Sequence, residues 1–362
     1  MSNGKMKTAA ALALLVMACA APARGMEALP ASAMDESHIF TVEVLQVSDI
    51  EPYQEAMDGF LAALRSNGIV AGKNLRLNRV KIDFDIENGG FWSRLGVLMR
   101  IREEATRIAG AKPDLVLTIG TPATRYARGI LEDAHIPLVF TAVADPKEAG
   151  CVSLVDGGEG VTGATLYTDM DDSVKVVRQL FPAVRRIGMV HTDDENGVAN
   201  VAAATASARQ MGIAVSSRQV GKSDSIVPAL KELFSQGEGV QLFAVPLDTY
   251  YGLRKFEPAT DLGDFGAEHQ IPVVTLAMVR MPGAVLYVGA DFGFVGNLSG
   301  LQAAKILKRR TKPDVMPILK QDTPTVLIDP ERLAALKVAL PPDMLERASR
   351  GKDGFWQIGA AK

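Results

Sequence analysis

The feature that most constrains the fold is an alternation of short apolar runs with amphipathic runs, which starts at residue 40 and occurs in two successive stretches. The first stretch predicts strands at 40–47, 74–82, 114–119 and 137–142, with helices at 53–66, 91–108 and 122–131. Strands and helices that alternate at this spacing indicate a parallel sheet covered by helices on both faces.

A glycine-rich passage, Gly150 to Gly163, separates the first stretch from the second, and we expect it to join two similar α/β units. The second stretch predicts strands at 186–191, 213–220, 240–245, 272–276 and 284–289, with helices at 171–180, 198–211, 225–235, 249–269 and 294–310. The fold class is therefore α/β, with one unit over about 40–160 and another over about 164–288.

The N-terminus has the layout of a secretory signal peptide. Two lysines precede an apolar stretch from Ala9 to Ala18, which is too short to span a bilayer, and small residues follow. Cleavage after Ala23 would remove residues 1–23 and release a soluble periplasmic protein. The run that ends in Cys19 also resembles an imperfect lipobox, and cleavage there would leave a lipid-anchored protein. Both alternatives predict export.

Charge and cysteine content indicate which partners and which cross-links to expect. The net charge of -3 gives no sign of a nucleic-acid surface, so we expect no nucleic-acid partner. The two cysteines are Cys19, which is removed or lipidated, and Cys151, so the mature chain is expected to have no internal disulfide. Its stability must then come from its core.

Polar side chains gather where the predicted strands end. In open parallel sheets, ligands bind beyond the carboxyl ends of the strands. If the rims of two units face each other, they form a cleft suited to a small molecule. The candidate ligand-binding residues at these ends are Ser48, Thr121, Arg125, Thr141, Asp145, His191, Asp248, Tyr250 with its neighbour Tyr251, and Thr275.

Several of these candidates also have a purely structural explanation. Thr121 could cap the helix that begins at Pro122, and Asp145 and Asp248 could cap the segments that follow them. Arg125 could bind a ligand carboxylate or pair with a surface acid such as Glu132. The two tyrosines could stack on a flat ligand or be buried against the next helix.

No catalytic motif is present. The sequence contains no GxGxxG, no GxxxxGK[ST], no GxSxG and no HExxH, and its four histidines lack the spacing of metal ligands. His191 is the one histidine at a predicted strand end, and it has no adjacent partner that would complete a nucleophile–base pair. We therefore expect no catalytic residue, no metal and no cofactor.

The runs LTIGTPATRYA, IPLVFTAVADPKEAG, EGVTGATLY, RRIGMVHTDDENGVAN and LFAVPLDTYY, with the tail TVLIDPERLAALKVALPPDMLERAS, carry a family resemblance. Together they resemble the ABC-transporter substrate-binding proteins that include tryptophan-binding lipoproteins of the TrpX type, over about residues 40–348. The resemblance implies a type I periplasmic-binding fold, in which two Rossmann-like lobes with parallel sheets are joined by hinge crossovers. It also implies that about 290–348 complete the N-terminal lobe, and that the protein binds a small ligand without catalysis.

By position in these runs, the resemblance implies that Thr121, Thr141, Asp145 and Asp248 line the cleft. This chain departs from the family pattern at two places. Gly197-Val198 replaces an asparagine–serine pair that can bond a ligand, and the apolar Ala277-Met278-Val279 replaces a polar serine–aspartate turn. Both departures favour a less polar or differently shaped ligand than an aromatic amino acid.

We expect an exported, monomeric receptor that delivers a small, amino-acid-like solute to an ABC permease in the inner membrane. Thr121 would hold a polar or anionic end of the ligand, Asp248 an ammonium or hydroxyl, and Tyr250 or Tyr251 an apolar part. Two alternatives remain open. One is a periplasmic partner of a membrane signalling receptor, and the other is an exported α/β enzyme that uses His191 with a carboxylate such as Asp248.

Overall fold

The computed structural model describes residues 38–47, 49–82, 91–237, 239–351 and 353–358, and for 91–94 it describes the backbone only. The predicted signal peptide, Cys19 and Ser48 lie outside the described residues. Within them, the chain forms two sheets, which define two lobes.

Lobe 1 is built on a parallel sheet. Its strands are β1 (Phe40–Val47), β2 (Leu75–Ile82), β3 (Leu115–Ile119), β4 (Leu138–Val143), β5 (Val161–Thr165) and, from much later in the chain, β11 (Leu319–Lys320). Their order across the sheet is β11-β5-β4-β3-β1-β2, with parallel pairing throughout. The early helices are α1 (Glu51–Ser66), α2 (Phe91–Ala111) and α3 (Thr121–Asp133). The strands β3, β4 and β5 are buried along their whole length, which explains the largely apolar sequences of β3 and β4.

Lobe 2 has a mixed sheet. Its parallel strands are β6 (Arg186–His191), β7 (Ala214–Gln219), β8 (Leu242–Val245), β9 (Val273–Thr275) and β10 (Leu286–Gly289). Three antiparallel strands extend it: β12 (Thr325–Ile328), β13 (Ser349–Arg350) and β14 (Trp356–Ile358). The order is β13-β14-β12-β10-β9-β8-β6-β7. The helices are α4 (Met170–Leu180), α5 (Glu195–Gln210), α6 (Val227–Ser235), α7 (Leu253–Glu268), α9 (Pro330–Ala335) and α10 (Pro342–Arg347).

The chain crosses between the lobes three times, at 166–169, 290–291 and 321–324. The second crossing leads into α8 (Phe292–Arg309), which returns to lobe 1 and packs closely on α1. A Cβ at Gly296 would lie 1.9 Å from Ala56 O, so only glycine allows the two helix backbones to approach this closely. The contact fixes the start of α8, next to the second crossing, on lobe 1.

The structure differs from the sequence-based domain plan at two places. The end of the glycine-rich passage is strand β5 of lobe 1 rather than a connection between units, and a Cβ at Gly163 would lie 2.3 Å from Phe140 O. Gly163 makes β5 hard to recognise in the sequence, yet the close contact with Phe140 requires a glycine at this position. The return to lobe 1 ends at β11, not near 348, because the following segment joins the lobe 2 sheet and buries Leu333 and Met344 in its core.

The predicted helix 249–269 is also interrupted. A 3₁₀ turn spans Thr249–Gly252, and α7 follows with left-handed φ values of 49°, 55° and 65° at Arg254, Lys255 and Phe256. Pro258 supplies a reason, since proline lacks the N–H for a helical bond and its ring clashes with the carbonyl four residues earlier. Among the helices of the described residues, none is long and apolar enough to cross a membrane.

Candidate ligand-binding cleft

The carboxyl ends of the two sheets face each other. Helix α3 begins where β3 ends, and α5 begins just after β6. Arg125 of α3 and Glu195, the first residue of α5, approach to 3.2 Å between Nη1 and Oε2. This ion pair joins the two lobes at the rims where the sequence predicts a ligand site.

The lobe 1 rim is built around Gly120. It is the N-cap residue of α3, with a φ of 89°, and its N–H donates to Thr141 O at 2.9 Å. Thr121 is therefore the first helical residue and not the cap, which corrects the capping role considered from the sequence. A Cβ at residue 120 would lie 2.3 Å from Tyr53 Oη, so glycine is favoured both by the left-handed φ and by the adjacent phenol.

Tyr53 is a rim residue that the sequence did not single out. It lies in the first turn of α1, and its ring packs beside Gly120. Burial, with a smaller contribution from the negative charge of Asp194, raises the pKa of Tyr53 to about 12. Because Asp194 precedes α5 in lobe 2, the phenol of one lobe lies near a carboxylate of the other. Its hydroxyl stays protonated at neutral pH and can donate a hydrogen bond.

The carboxyl end of β4 carries an irregularity. Ala142 has a left-handed φ of 55°, and the pairing of β4 with β5 shifts register between Phe140 and Val143. Such bulges often re-aim side chains near functional sites. The neighbouring Thr141 is fully buried, and its hydroxyl has no hydrogen-bond partner within the protein. A buried hydroxyl without a partner is costly, which makes Thr141 a candidate for contact with a ligand.

Asp145 and Arg125 lie on the same side of the rim. Asp145 Oδ1 accepts a hydrogen bond from Lys147 N at 2.8 Å, so it stabilises a turn, but its side chain remains partly exposed. Arg125 lies 3.8 Å from Glu148 in addition to its contact with Glu195. The pairing with Glu132 considered from the sequence is not formed, since Glu132 pairs with Arg128.

On the lobe 2 rim, Asp248 organises the strand ends. Its carboxylate accepts hydrogen bonds from Thr192 N at 2.7 Å, from the Thr192 hydroxyl at 3.0 Å and from Tyr250 N at 2.9 Å. Burial raises the pKa of Asp248, and these hydrogen bonds oppose the rise. His191 is buried beside it, with Nδ1 2.7 Å from Thr192 O. Asp248 thus couples the ends of β6 and β8.

Asp194 is the second carboxylate of this rim. Its Oδ1 caps α5 by accepting from Asn196 N at 3.1 Å, while Oδ2 accepts from the Thr249 hydroxyl at 3.0 Å and lies 3.8 Å from Lys222 Nζ. Because Asp194 also lies near Tyr53, it is, together with Glu195, a lobe 2 carboxylate that the structure places close to lobe 1.

Three other candidates lie inside lobe 2. Tyr250 and Tyr251 are buried, and their hydroxyls donate to Asp224 O and Val190 O, each at 2.8 Å. The buried Thr275 donates to Ala277 O at 2.7 Å. Of the two explanations considered for the tyrosines, burial inside the lobe is the one that the structure shows. Neither ring is placed at the rim to stack on a ligand.

Gly197, the first residue of the pair that replaces the asparagine–serine pair of the family, packs against Asp248. A Cβ at Gly197 would lie 2.6 Å from Asp248 Oδ2. The space that a side chain at this position would need is therefore occupied by the carboxylate, and Gly197 leaves the Asp248 cluster intact.

The Cys151 thiol and the possible metal ligands of the described residues do not add a reactive centre to the rims. Burial raises the pKa of Cys151 to about 11, so its thiol is protonated at neutral pH, and the residue lies in the lobe 1 core. Across the described ranges, no group of three His, Cys, Asp or Glu side chains is arranged to hold a metal ion.

Sequence reasoning did not select Tyr53 or Asp194 as ligand-binding residues. A local signal exists for both, since each lies within the first turn, or at the cap, of a helix that follows a sheet strand. Their proximity depends on how the lobes face each other, which no local pattern encodes.

Comparison with known proteins agrees with this architecture. A tyrosine-binding protein of Clostridioides difficile (strain R20291) is 25% identical over 298 residues, which cover 82% of this chain and 80% of that protein. A ligand-free, open substrate-binding protein with adhesive properties from Clostridium difficile superposes with a TM-score of 0.69 at 22% identity, over 84% of this chain and 97% of that one.

A Streptococcus pneumonia ABC domain in complex with L-Trp superposes with a TM-score of 0.67 at 19% identity, over 85% of this chain and 98% of the other. These likenesses confirm the predicted type I periplasmic-binding fold. The sequence profile described as ABC transporter substrate binding protein matches residues 41–352. The chain therefore belongs to the ABC transporter substrate-binding protein family.

Proposed function

We propose that this protein is an exported receptor that captures a small amino acid-like solute between its lobes and delivers it to an ABC permease. The observation that carries the proposal is the meeting of the two rims at Arg125 and Glu195, with Tyr53 and Asp194 facing each other nearby. A small molecule held there would touch both lobes, and contact with both lobes is what allows a ligand to select a closed form.

The chemistry of the rims favours a zwitterion. Lobe 1 offers donors, namely the first N–H groups of α3, the Thr121 side chain and the unpartnered Thr141 hydroxyl. Free N–H groups at a helix start favour a carboxylate. Lobe 2 offers the carboxylate of Asp194, which suits an ammonium group. In this assignment, Asp194 replaces Asp248 as the main ammonium partner, because Asp194 is the one of the two that lies near Tyr53 of lobe 1. Both carboxylates also bond to groups of lobe 2.

The relatives support the same ligand class. One is described as a tyrosine-binding protein, and one solved neighbour holds L-Trp. The apolar Ala277-Met278-Val279 segment, which takes the place of a polar turn, favours a ligand with an apolar side chain. The two departures from the family pattern favour a ligand other than an aromatic amino acid, whereas the ligands described for these relatives are aromatic. We therefore propose an amino acid with an apolar or aromatic side chain as the solute, with Tyr53 as the aromatic contact from lobe 1.

The transport role accounts for the predicted leader and for the lack of a recognisable catalytic constellation. We propose that the protein acts in the periplasm, either free or anchored through Cys19, and that it performs no chemistry on its ligand. A single chain with its own two-lobed cleft needs no second copy to complete a site, so we expect a monomer.

Thermal unfolding in the presence of each standard amino acid tests the ligand class. A ligand at about 100 times its Kd stabilises the folded state by about 2.7 kcal/mol, which is easily measured as a higher melting temperature. We expect one or a few apolar or aromatic L-amino acids to act in this way, and Thr121→Ala to weaken the effect. Lys175→Ala, on the exposed face of α4, is the matched control and should respond like the wild type. If no amino acid shifts the transition, the proposed ligand class is wrong.

A further inference from the structure

The connection between β9 and β10, residues 276–285, which we term the rim loop, is unusual. The two strands are parallel, so the chain must return along the sheet between them, and such a return normally contains a helix. The rim loop contains neither helix nor strand. Its conformation therefore depends on contacts with other segments.

The first residues of the rim loop lie at the cleft. They follow the carboxyl end of β9, the same edge of the sheet that carries Thr192 and Asp248. A Cβ at Gly289 would lie 3.1 Å from both Ala277 Cα and Met278 N, so this part of the loop packs against the end of β10. That position is beside the second crossing between the lobes.

Arg280 links the rim loop to the C-terminal hairpin, which we define as β13, β14 and the turn between them. Its guanidinium group pairs with Asp353 and lies 4.7 Å from the centroid of the Phe355 ring. Phe355 in turn contacts Tyr287 edge to face at 5.9 Å, and Tyr287 Oη donates to Met281 O at 2.9 Å. A hydrogen bond from Arg280 holds the pKa of Asp353 below its usual value, and the positive charge of Arg280 adds to this effect.

Arg280 is also close enough to lobe 1 to act electrostatically on Glu55. Burial raises the pKa of Glu55 on α1, Asp291 adds to the rise, and the positive charge of Arg280 opposes it. Glu55 belongs to lobe 1 and Asp291 to the second crossing, so Arg280 lies where the two lobes approach. A residue at this point can affect the cleft without touching a ligand.

We propose that Arg280 is a positioning residue for the cleft. Asp353 and Phe355 hold Arg280 in place, and Arg280 in turn fixes the rim loop. The apolar first residues of the loop then form one wall of the ligand site. The C-terminal hairpin thus controls ligand binding from outside the site. This inference rests on the proposed function, because the wall is assigned to the apolar side chain of a bound amino acid.

The test combines hydrogen exchange of the ligand-free protein with calorimetric titration of L-tyrosine and L-tryptophan. Arg280→Ala and Asp353→Asn should speed exchange across 276–283 and weaken binding about 3- to 10-fold, the scale of an exposed ion pair plus a stacked cation. Arg280→Lys should be intermediate, since lysine keeps the charge but not the planar stacking group. Arg347→Ala, which removes another exposed ion pair from lobe 2, should leave both readouts unchanged.

Unchanged exchange in Arg280→Ala overturns the proposal, as does faster exchange with wild-type affinity. A general loss of stability is recognised by a lower melting temperature in the same variants. If the wild-type protein binds neither of these nor any other apolar amino acid, the proposed ligand class fails. The exchange comparison still decides whether Arg280 fixes the rim loop, because it needs no ligand.

Discussion

Arg125 of α3 lies 3.2 Å from Glu195 of α5, and this ion pair connects the rims of two lobes that are built on separate sheets. Both side chains are largely exposed, 42% and 69%, so the pair contributes less than about 1 kcal/mol. A contact of this size is suited to biasing the opening of the lobes and too weak to hold them closed without a ligand.

Arg125→Ala should therefore weaken ligand binding modestly, by about 5-fold at most, since the lost interaction is worth under about 1 kcal/mol. Glu195→Gln should weaken binding to a similar extent, because Glu148, the other acid near Arg125, belongs to lobe 1 and cannot replace the contact between the lobes. Titration calorimetry of the bound amino acid measures both, with Lys175→Ala as the control for loss of an exposed cation. A wild-type affinity in Arg125→Ala would show that the pair does not take part in closure.

Gln321 is predicted to be a structural link between two crossings. It is buried, its Oε1 accepts from Asp291 N at 2.9 Å, and its Nε2 donates to Thr323 O at 2.7 Å and to the Thr325 hydroxyl at 2.9 Å. Gln321→Ala leaves these buried groups without partners and should lower the free energy of unfolding by about 1–3 kcal/mol. Urea denaturation measures the loss, and a change below about 0.5 kcal/mol would contradict it.

The approach of α1 to α8 predicts a contrast between two glycines. Gly296→Ala places a methyl group against Ala56 O and should destabilise the protein by about 3 kcal/mol or more. Gly129→Ala, in the exposed middle of α3, meets nothing within 4 Å and should stabilise by about 0.5–1 kcal/mol. The same denaturation experiment compares them. Equal effects of the two substitutions would show that the helices are not in close contact.

The buried Asp248 predicts a dependence of stability on pH. Its pKa is raised in the folded state above the ordinary value of 3.8, so the folded protein binds the proton more tightly than the unfolded chain. The contribution of Asp248 to stability is thus present in full below that value and falls as the pH rises through the folded-state pKa. In Asp248→Asn this fall should be absent, so the wild type should lose stability relative to the variant over the interval that begins near pH 3.8 and extends through the raised folded-state pKa. A stability difference that stays constant over this interval would contradict the assignment.

Much of the fold could be predicted because its signals are local. Strands such as β1 and β6 begin and end where the apolar runs predict. The sequence misplaced the segments whose structure depends on distant contacts. Strand β5 was not recognised because it contains Gly163, which packs on Phe140. The segment after β11 was assigned to the wrong lobe because it joins lobe 2 through the pairing of β12 with β10.

The same distinction holds for the candidate site. Strand ends located Thr121 and Asp145, because the position of a strand end is a local property. The partner of Arg125 was not predictable in this way, since Glu195 is 70 residues away in sequence. Tyr250 was misleading for a related reason: a tyrosine after a strand end can turn into the core, as this one does to reach Asp224 O.

Native mass spectrometry of the protein purified gently from its expression host tests the central claim most directly. If the cleft captures an amino acid, the spectrum should contain one molecule of amino acid mass per protein chain, and the extra mass should decrease in Thr121→Ala and persist in Lys175→Ala. An empty wild-type protein that also takes up no added amino acid would contradict the capture of an amino acid between the lobes.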